Sequence, residues 1–193
     1  MAAGRAPAGP AAGPIGTELL RRPTKPADDA LPALTLKRGL LEVNMIWKPN
    51  VTVAAVIEQD GKYLLVEEQT DNGILFNQPA GHLESSESLI HAVMRETLEE
   101  TGYIFVPDSL IGIYNWHAPV EDITFIRFAF SGHASGHDPE RPLDAGIVCA
   151  EWFTVDEIRR TIHRHRSPLV MKCIEDHQAG KHYPLEILIH YDR

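Results

Sequence analysis

The sequence predicts an α/β fold, a mixed β-sheet packed by helices. Strand-like segments outnumber helical ones, and several adjoin as hairpins. The helical segments carry their own start and stop signals. VTVAAVIEQ (51–59) reads as a strand, Asp60-Gly61 as a two-residue hairpin turn and KYLLVEE as its return strand. A loop with Gly and Pro punctuation follows, QTDNGILFNQPAGHLESS (69–86). Ser86 is placed to cap a helix that runs to about Thr101 and ends at Gly102. LIGIYNWHA (110–118) and ITFIRFAFSG (123–132) read as strands, residues 132–146 as a polar loop and CAEWF (149–153) as a short strand. Thr154 and Glu157 form a capping box for a helix to about His163. Ser167-Pro168 opens a last helix to about Ala179.

Composition narrows the function. The chain has 193 residues, 44% of them apolar and 23% charged, which suits one globular domain with an extension. Residues 1–44 hold nine Ala, five Gly and six Pro without a period, and read as a disordered N-terminal extension. Residues 45–193 read as the folded domain. The extension carries six basic and four acidic residues, a net +2; the rest carries twelve and twenty-three, a net −11. So acidic a body predicts no nucleic-acid partner and no acidic membrane surface. The longest clean apolar run, Val51 to Ile57, is far too short to span a bilayer. Cys149 and Cys173 have neither disulfide-framework nor metal-knuckle spacing, which predicts a reducing, cytoplasmic setting.

The chemistry concentrates between Gly81 and Gly102. Glu96, Glu99 and Glu100 stand at i, i+3 and i+4, so their carboxylates project from one helix face. Like charges so spaced repel, and near a helix C-terminus the dipole disfavours them further. A divalent cation would offset both costs, and carboxylate oxygens are the hard ligands Mg²⁺ and Mn²⁺ prefer. Leu89, Ile90, Val93, Met94 and Leu98 place the acidic face beside a core stripe. Gly81, after Pro79-Ala80, gives a tight turn near the same site.

Gly81 through Tyr103 resembles the Nudix box, G-x5-E-x7-R-E-U-x-E-E-x-G-U. Gly81, Glu87, Arg95, Glu96, Glu99, Glu100 and Gly102 match its fixed positions, while Thr97 and Tyr103 depart at its aliphatic ones. The resemblance implies a Nudix α/β/α sandwich and metal-dependent hydrolysis of a diphosphate linked to another group, X. It implies Glu96, Glu99, Glu100 and the Gly81 carbonyl as metal ligands. It makes Arg95 and Glu87 an orienting ion pair and Glu84 a peripheral carboxylate. A carboxylate base would assist attack of water on phosphorus. Glu99 or Glu96 is favoured for that role, with Glu121, Asp122 and Asp144 as loop candidates.

Outside the box, WKPNVTVAAVIE, LFNQPAGHLE, NWHAP, RSPLV and YPLE are similar to the NudJ-type phosphatase subgroup, over about Trp47 to Glu186. That subgroup implies release of phosphate from thiamine diphosphate, hydroxymethylpyrimidine diphosphate and nucleoside di- and triphosphates. An ADP-ribose or ADP-sugar pyrophosphatase is the alternative; Pro119, sixteen residues past the box, suits both. A nucleotide sensor without hydrolysis is a weaker alternative, because such proteins resemble damaged boxes. Phe76, Trp116 and His117 are candidates to stack on X. Arg127, alternating with apolar residues, is a candidate for substrate phosphate, and Asn77 and Gln78 for base edges. Arg159, Arg160, Arg164 and Arg166 read as a solvated helix face.

Overall fold

The computed structural model describes residues 47–191. The expected extension, residues 1–44, lies outside the described residues. Within them the chain runs β1 (Asn50–Gln59), β2 (Lys62–Thr70), β3 (Gly73–Asn77), β4 (Ala80–His82), α1 (Leu89–Thr101), β5 (Tyr103–Ala118), β6 (Ile123–His137), β7 (Ile147–Thr154), α2 (Val155–Arg160) and α3 (Leu169–Gln178). Short 3-10 turns occupy Ile162–Arg164 and Leu185–Ile187.

The strands form one mixed sheet of seven. Its main path is β3-β2-β1-β6-β5, with β4 on β1 and β7 on β2. Among the described strands only the β1–β6 pair is parallel. The β1–β2 connection is the expected hairpin: Asp60 and Gly61 both have positive φ, 53° and 77°, as a type I′ turn requires.

Alternation along β1 divides the core. Val53, Ala55 and Ile57 pack with Ala92 and Val93 of α1, and Val56 packs with Val170, Cys173 and Ile174 of α3. Helices thus cover both faces of the sheet, the α/β/α sandwich that the box implies.

Several boundaries differ from expectation. The α1 cap is Ser88, whose extended backbone lets Oγ accept from His91 N at 3.1 Å. Ser86 instead takes φ 63°, outside the extended region that an N-cap uses. Gly102 ends α1 as expected, in the left-handed region. Two short strands, β3 and β4, form inside the expected 69–86 loop. Residues 132–137 are not loop but the end of β6, paired with Tyr103–Pro107, and β5 accordingly begins at Tyr103. Polar residues alternating with small ones hid this strand. Gly132 is required there, because a Cβ would stand 2.2 Å from the Val106 carbonyl oxygen. The Thr154–Glu157 capping box forms, but α2 stops at Arg160. At α3 Pro168 is the N-cap rather than the first helical residue, while Ser167 Oγ accepts from Leu169 N at 3.2 Å.

The two departures from the box pattern fit their places. Thr97 is fully buried and its hydroxyl donates to the Val93 carbonyl at 2.7 Å, leaving no unpaired polar atom. The Tyr103 hydroxyl accepts from Trp152 Nε1 at 3.1 Å while its ring stacks on His137.

Candidate active site

A cavity of about 420 Å³ opens where β4, α1 and the inner faces of β5 and β6 meet. Three kinds of side chain line it. Glu84, Glu96 and Glu100 give a carboxylate end, with Gly81 at its base. Trp116, Ile123 and Phe125 give an apolar wall. Thr52, Asn77 and Arg127 give a polar floor.

The carboxylate end is built around Gly81. A Cβ there would fall 2.1 Å from Glu96 Cδ, so only glycine lets the Glu96 carboxyl rest against β4. Arg95 organises the neighbouring acids. Its Nε and Nη2 grip Glu87 at 2.9 and 3.0 Å, and Nη1 donates to Glu96 at 2.8 Å and Glu99 at 3.0 Å. Nη2 also reaches the His82 carbonyl at 3.1 Å, tying α1 to β4. Glu87 is held below its usual range, chiefly by the Arg95 hydrogen bonds. The Arg95 and Glu87 pairing expected from the sequence is therefore present, and it orients two of the helix glutamates.

Glu96 and Glu100 have less relief. Burial pushes Glu96 up, against the pull of Arg95. Burial pushes Glu100 further, to about 8; the Ala80 N–H at 2.8 Å opposes the rise, and the charges of Glu96, Glu68 and Asp144 add to it. A buried carboxylate pair short of positive charge is what a divalent cation would neutralise. The donor set is all oxygen, as a hard cation needs. Among the described residues no three acids or histidines stand ready as a cation cage. Arg95 lies between Glu96 and Glu99, and Glu100 is held on the β4 backbone.

The structure sorts the expected site residues. Gly81, Glu84, Glu96, Glu100, Trp116 and Arg127 meet at the cavity. Glu99 sits one step away on Arg95, its side chain 29% exposed. Of the loop acids, Glu121 lines the cavity, whereas Asp122 is 94% exposed and pairs with His117 at 3.6 Å.

Two expected stacking residues are elsewhere. Phe76 belongs to the core: it is 3% exposed, meets Phe153 edge-on at 5.2 Å and lies under the Arg164 guanidinium at 4.4 Å. His117 points off the opposite face of β5 from Trp116, as alternation requires, and is exposed. Trp116 instead stacks with its cross-strand partner Phe125 at 5.6 Å and 20°. Gln78 is buried behind the floor. It donates to the Val170 carbonyl at 2.7 Å and, through Oε1, stands 3.4 Å from Arg127.

Thr52, Glu68, Phe125, Arg166 and Ser167 line the cavity without having been singled out as site residues. Arg166 is not on a helix face. It lies beyond the 3-10 turn, and its N–H donates to the Phe76 carbonyl at 2.8 Å, strapping the segment to β3. Its guanidinium meets Glu68 at 3.5 Å. The signal for Thr52 was available: a lone polar residue in an apolar strand.

A model of the NUDIX domain matches residues 47–173. The chain belongs to the Nudix family. It is 42% identical to phosphatase NudJ of Escherichia coli K12 over 143 residues, covering 74% of this chain and 92% of that one. A Nudix hydrolase structure from Nitrosomonas europaea is 60% identical, with a TM-score of 0.73, and covers 75% of this chain and 98% of the other. An ADP-ribose pyrophosphatase from Streptococcus suis aligns over 70% of this chain and 96% of its own at 19% identity and a TM-score of 0.54, which shows a shared fold alone. This Nudix protein is accordingly a hydrolase. None of its helices among the described residues is long and apolar enough to cross a membrane.

Proposed function

We propose that this Nudix hydrolase is a divalent-metal-dependent pyrophosphohydrolase that releases phosphate from small diphosphates. Its substrates are hydroxymethylpyrimidine and thiamine diphosphates and nucleoside di- and triphosphates. The observation that carries this reading is the cavity itself. Its volume is about 420 Å³ and its lining includes Glu96 and Glu100 as well as Trp116, so one cavity offers carboxylates for a cation-bound anionic tail and a ring face for X. Similarity to phosphatase NudJ supports release of phosphate.

Glu96, Glu99, Glu100 and the Gly81 carbonyl would hold Mg²⁺ or Mn²⁺. When bound, the cation would supply charge neutralisation and polarisation of the phosphorus–oxygen bond. Arg95 keeps the Glu96 and Glu99 side chains on one face of α1. Glu99 or Glu96 acts as the carboxylate that accepts a proton from the attacking water, and Glu121 is the loop alternative. Trp116 offers its ring face to X, so the diphosphate is presented to the carboxylate end.

The test is a panel of hydroxymethylpyrimidine, thiamine and nucleoside diphosphates beside ADP-ribose, with Mg²⁺ and with products identified. The reading predicts orthophosphate release and higher kcat/KM for the small diphosphates. ADP-ribose cleaved at least tenfold more efficiently would assign the protein to ADP-sugar hydrolysis instead. Binding of nucleotides without turnover would make it a sensor.

A further inference from the structure

Thr52 and Arg127 are direct partners in the parallel β1–β6 pair. Both are buried, at 5% and 8% exposure, and both line the cavity. Thr52 Oγ1 is buried with no hydrogen-bond partner. An orphan hydroxyl in a strand costs stability unless something else completes it. Arg127 is also incomplete. Among the described residues its hydrogen bonds use Nη1 alone, to Asn77 Oδ1 and Gln78 Oε1, both at 3.4 Å. Nε and Nη2 remain for a ligand, on a guanidinium whose direction the two amides fix.

We infer that Thr52 and Arg127 form a two-point subsite that reads the polar edge of a planar, amino-substituted heterocycle, the X of the substrate. This rests on the function proposed above.

Three features favour a ring edge over a phosphate. The first is placement. Phe125 is two residues from Arg127 on the same face of β6, and it carries the stacked Trp116. A ring lying on that aromatic pair turns an edge toward the floor. The second is charge. Glu68, Glu84, Glu96 and Glu121 around the cavity repel a phosphate that is not accompanied by cations. Those cations belong at the α1 end. The third is donor chemistry. An arginine only donates, whereas a threonine hydroxyl both donates and accepts. The pair therefore matches a ring nitrogen beside an amino group. A phosphate oxygen would leave the accepting capacity of Thr52 unused.

The experiment is Thr52→Val, with Thr52→Ser as the conservative variant, assayed on hydroxymethylpyrimidine diphosphate, phenyl diphosphate and inorganic pyrophosphate. Valine keeps the shape and removes an unpaired hydroxyl, so the fold is retained, checked by thermal melting. Losing one neutral hydrogen bond raises KM for the pyrimidine substrate about 3–10-fold, with kcat little changed. Serine restores KM, and the other two substrates respond much less. Equal changes on all three would show that the hydroxyl meets phosphate. No change on any would show that it meets no ligand. If the wild-type protein turns over no ring diphosphate, the proposed function fails, and the subsite is judged separately. Binding of hydroxymethylpyrimidine alone to wild type and Thr52→Val is then measured by calorimetry without metal. Equal affinities, or no binding to either, overturn the subsite.

Discussion

Gly81 lies against the Glu96 carboxyl so closely that a Cβ on Gly81 would stand 2.1 Å from Glu96 Cδ and 2.2 Å from both oxygens. The glycine therefore serves the site through what it lacks. Gly81→Ala must push Glu96 out of the cavity wall or shift β4. We expect a loss of about 100-fold or more in kcat, the scale of a lost catalytic electrostatic contact. Stability should change little, because the atoms a Cβ would meet are the far end of the flexible Glu96 side chain. Kinetics with Mg²⁺ titration and chemical denaturation measure both. Normal kcat would show that the position of Glu96 does not matter.

Glu100 sets a pH dependence for cation binding. Its carboxyl is raised to about 8 by burial, so near neutral pH the proton must leave before the group can act as a ligand. Affinity for Mg²⁺ should rise with pH up to about 8 and level off above it, with proton release on binding. The same raised value means the metal-free fold loses stability as pH climbs from the ordinary carboxylate range through about 8. Calorimetry in buffers of different ionisation enthalpy reads the released proton. Glu100→Gln should abolish that release and weaken cation binding.

Trp116 should act on X and not on the phosphates. Its ring lines the cavity beside Phe125, and base–aromatic stacking contributes about 1–3 kcal/mol. Trp116→Ala should lower kcat/KM on hydroxymethylpyrimidine or thiamine diphosphate by roughly 5–150-fold and affect pyrophosphate much less. An equal loss on every substrate would make Trp116 a support of the fold.

How much of this was legible in the sequence depended on the kind of signal. The α1 glutamates, Arg95 and Gly102 were readable, because helical periodicity and end signals are local. So was the Asp60-Gly61 hairpin. The end of β6 was not, since Gly132, Ser135 and Gly136 look like loop residues until their partners on β5 are known. Phe76 and Trp116 were indistinguishable as aromatic residues near the box. Tertiary packing put Phe76 under Arg164 and Trp116 at the cavity. Arg166 was misread because α2 ends at Arg160 and a 3-10 turn follows, so the arginine spacing does not describe one helix face.

Asp176 holds α3 and the following segment together. It is 5% exposed, and accepts from Lys172 at 2.6 Å, Lys181 at 2.9 Å and the Tyr114 hydroxyl at 3.0 Å. Burial alone would raise its carboxyl, but these three partners outweigh burial and hold it at about 2. A depressed carboxylate stabilises the fold above its unfolded value near 4 and loses that contribution as pH falls toward 2. Asp176→Asn should cost about 1.5–3 kcal/mol near neutral pH, the worth of a hydrogen bond to a charged group. The gap from wild type should narrow below about pH 4. Urea unfolding at neutral pH and near pH 3 checks both.

Diphosphate hydrolysis in this cavity is proposed to require a divalent cation that the α1 carboxylates would hold. Glu96→Gln tests it most directly, because glutamine keeps the size and helix propensity while removing one buried negative charge. Turnover of hydroxymethylpyrimidine diphosphate should fall at least about 100-fold in kcat, with the melting temperature preserved. Near-normal turnover at saturating Mg²⁺ would contradict it.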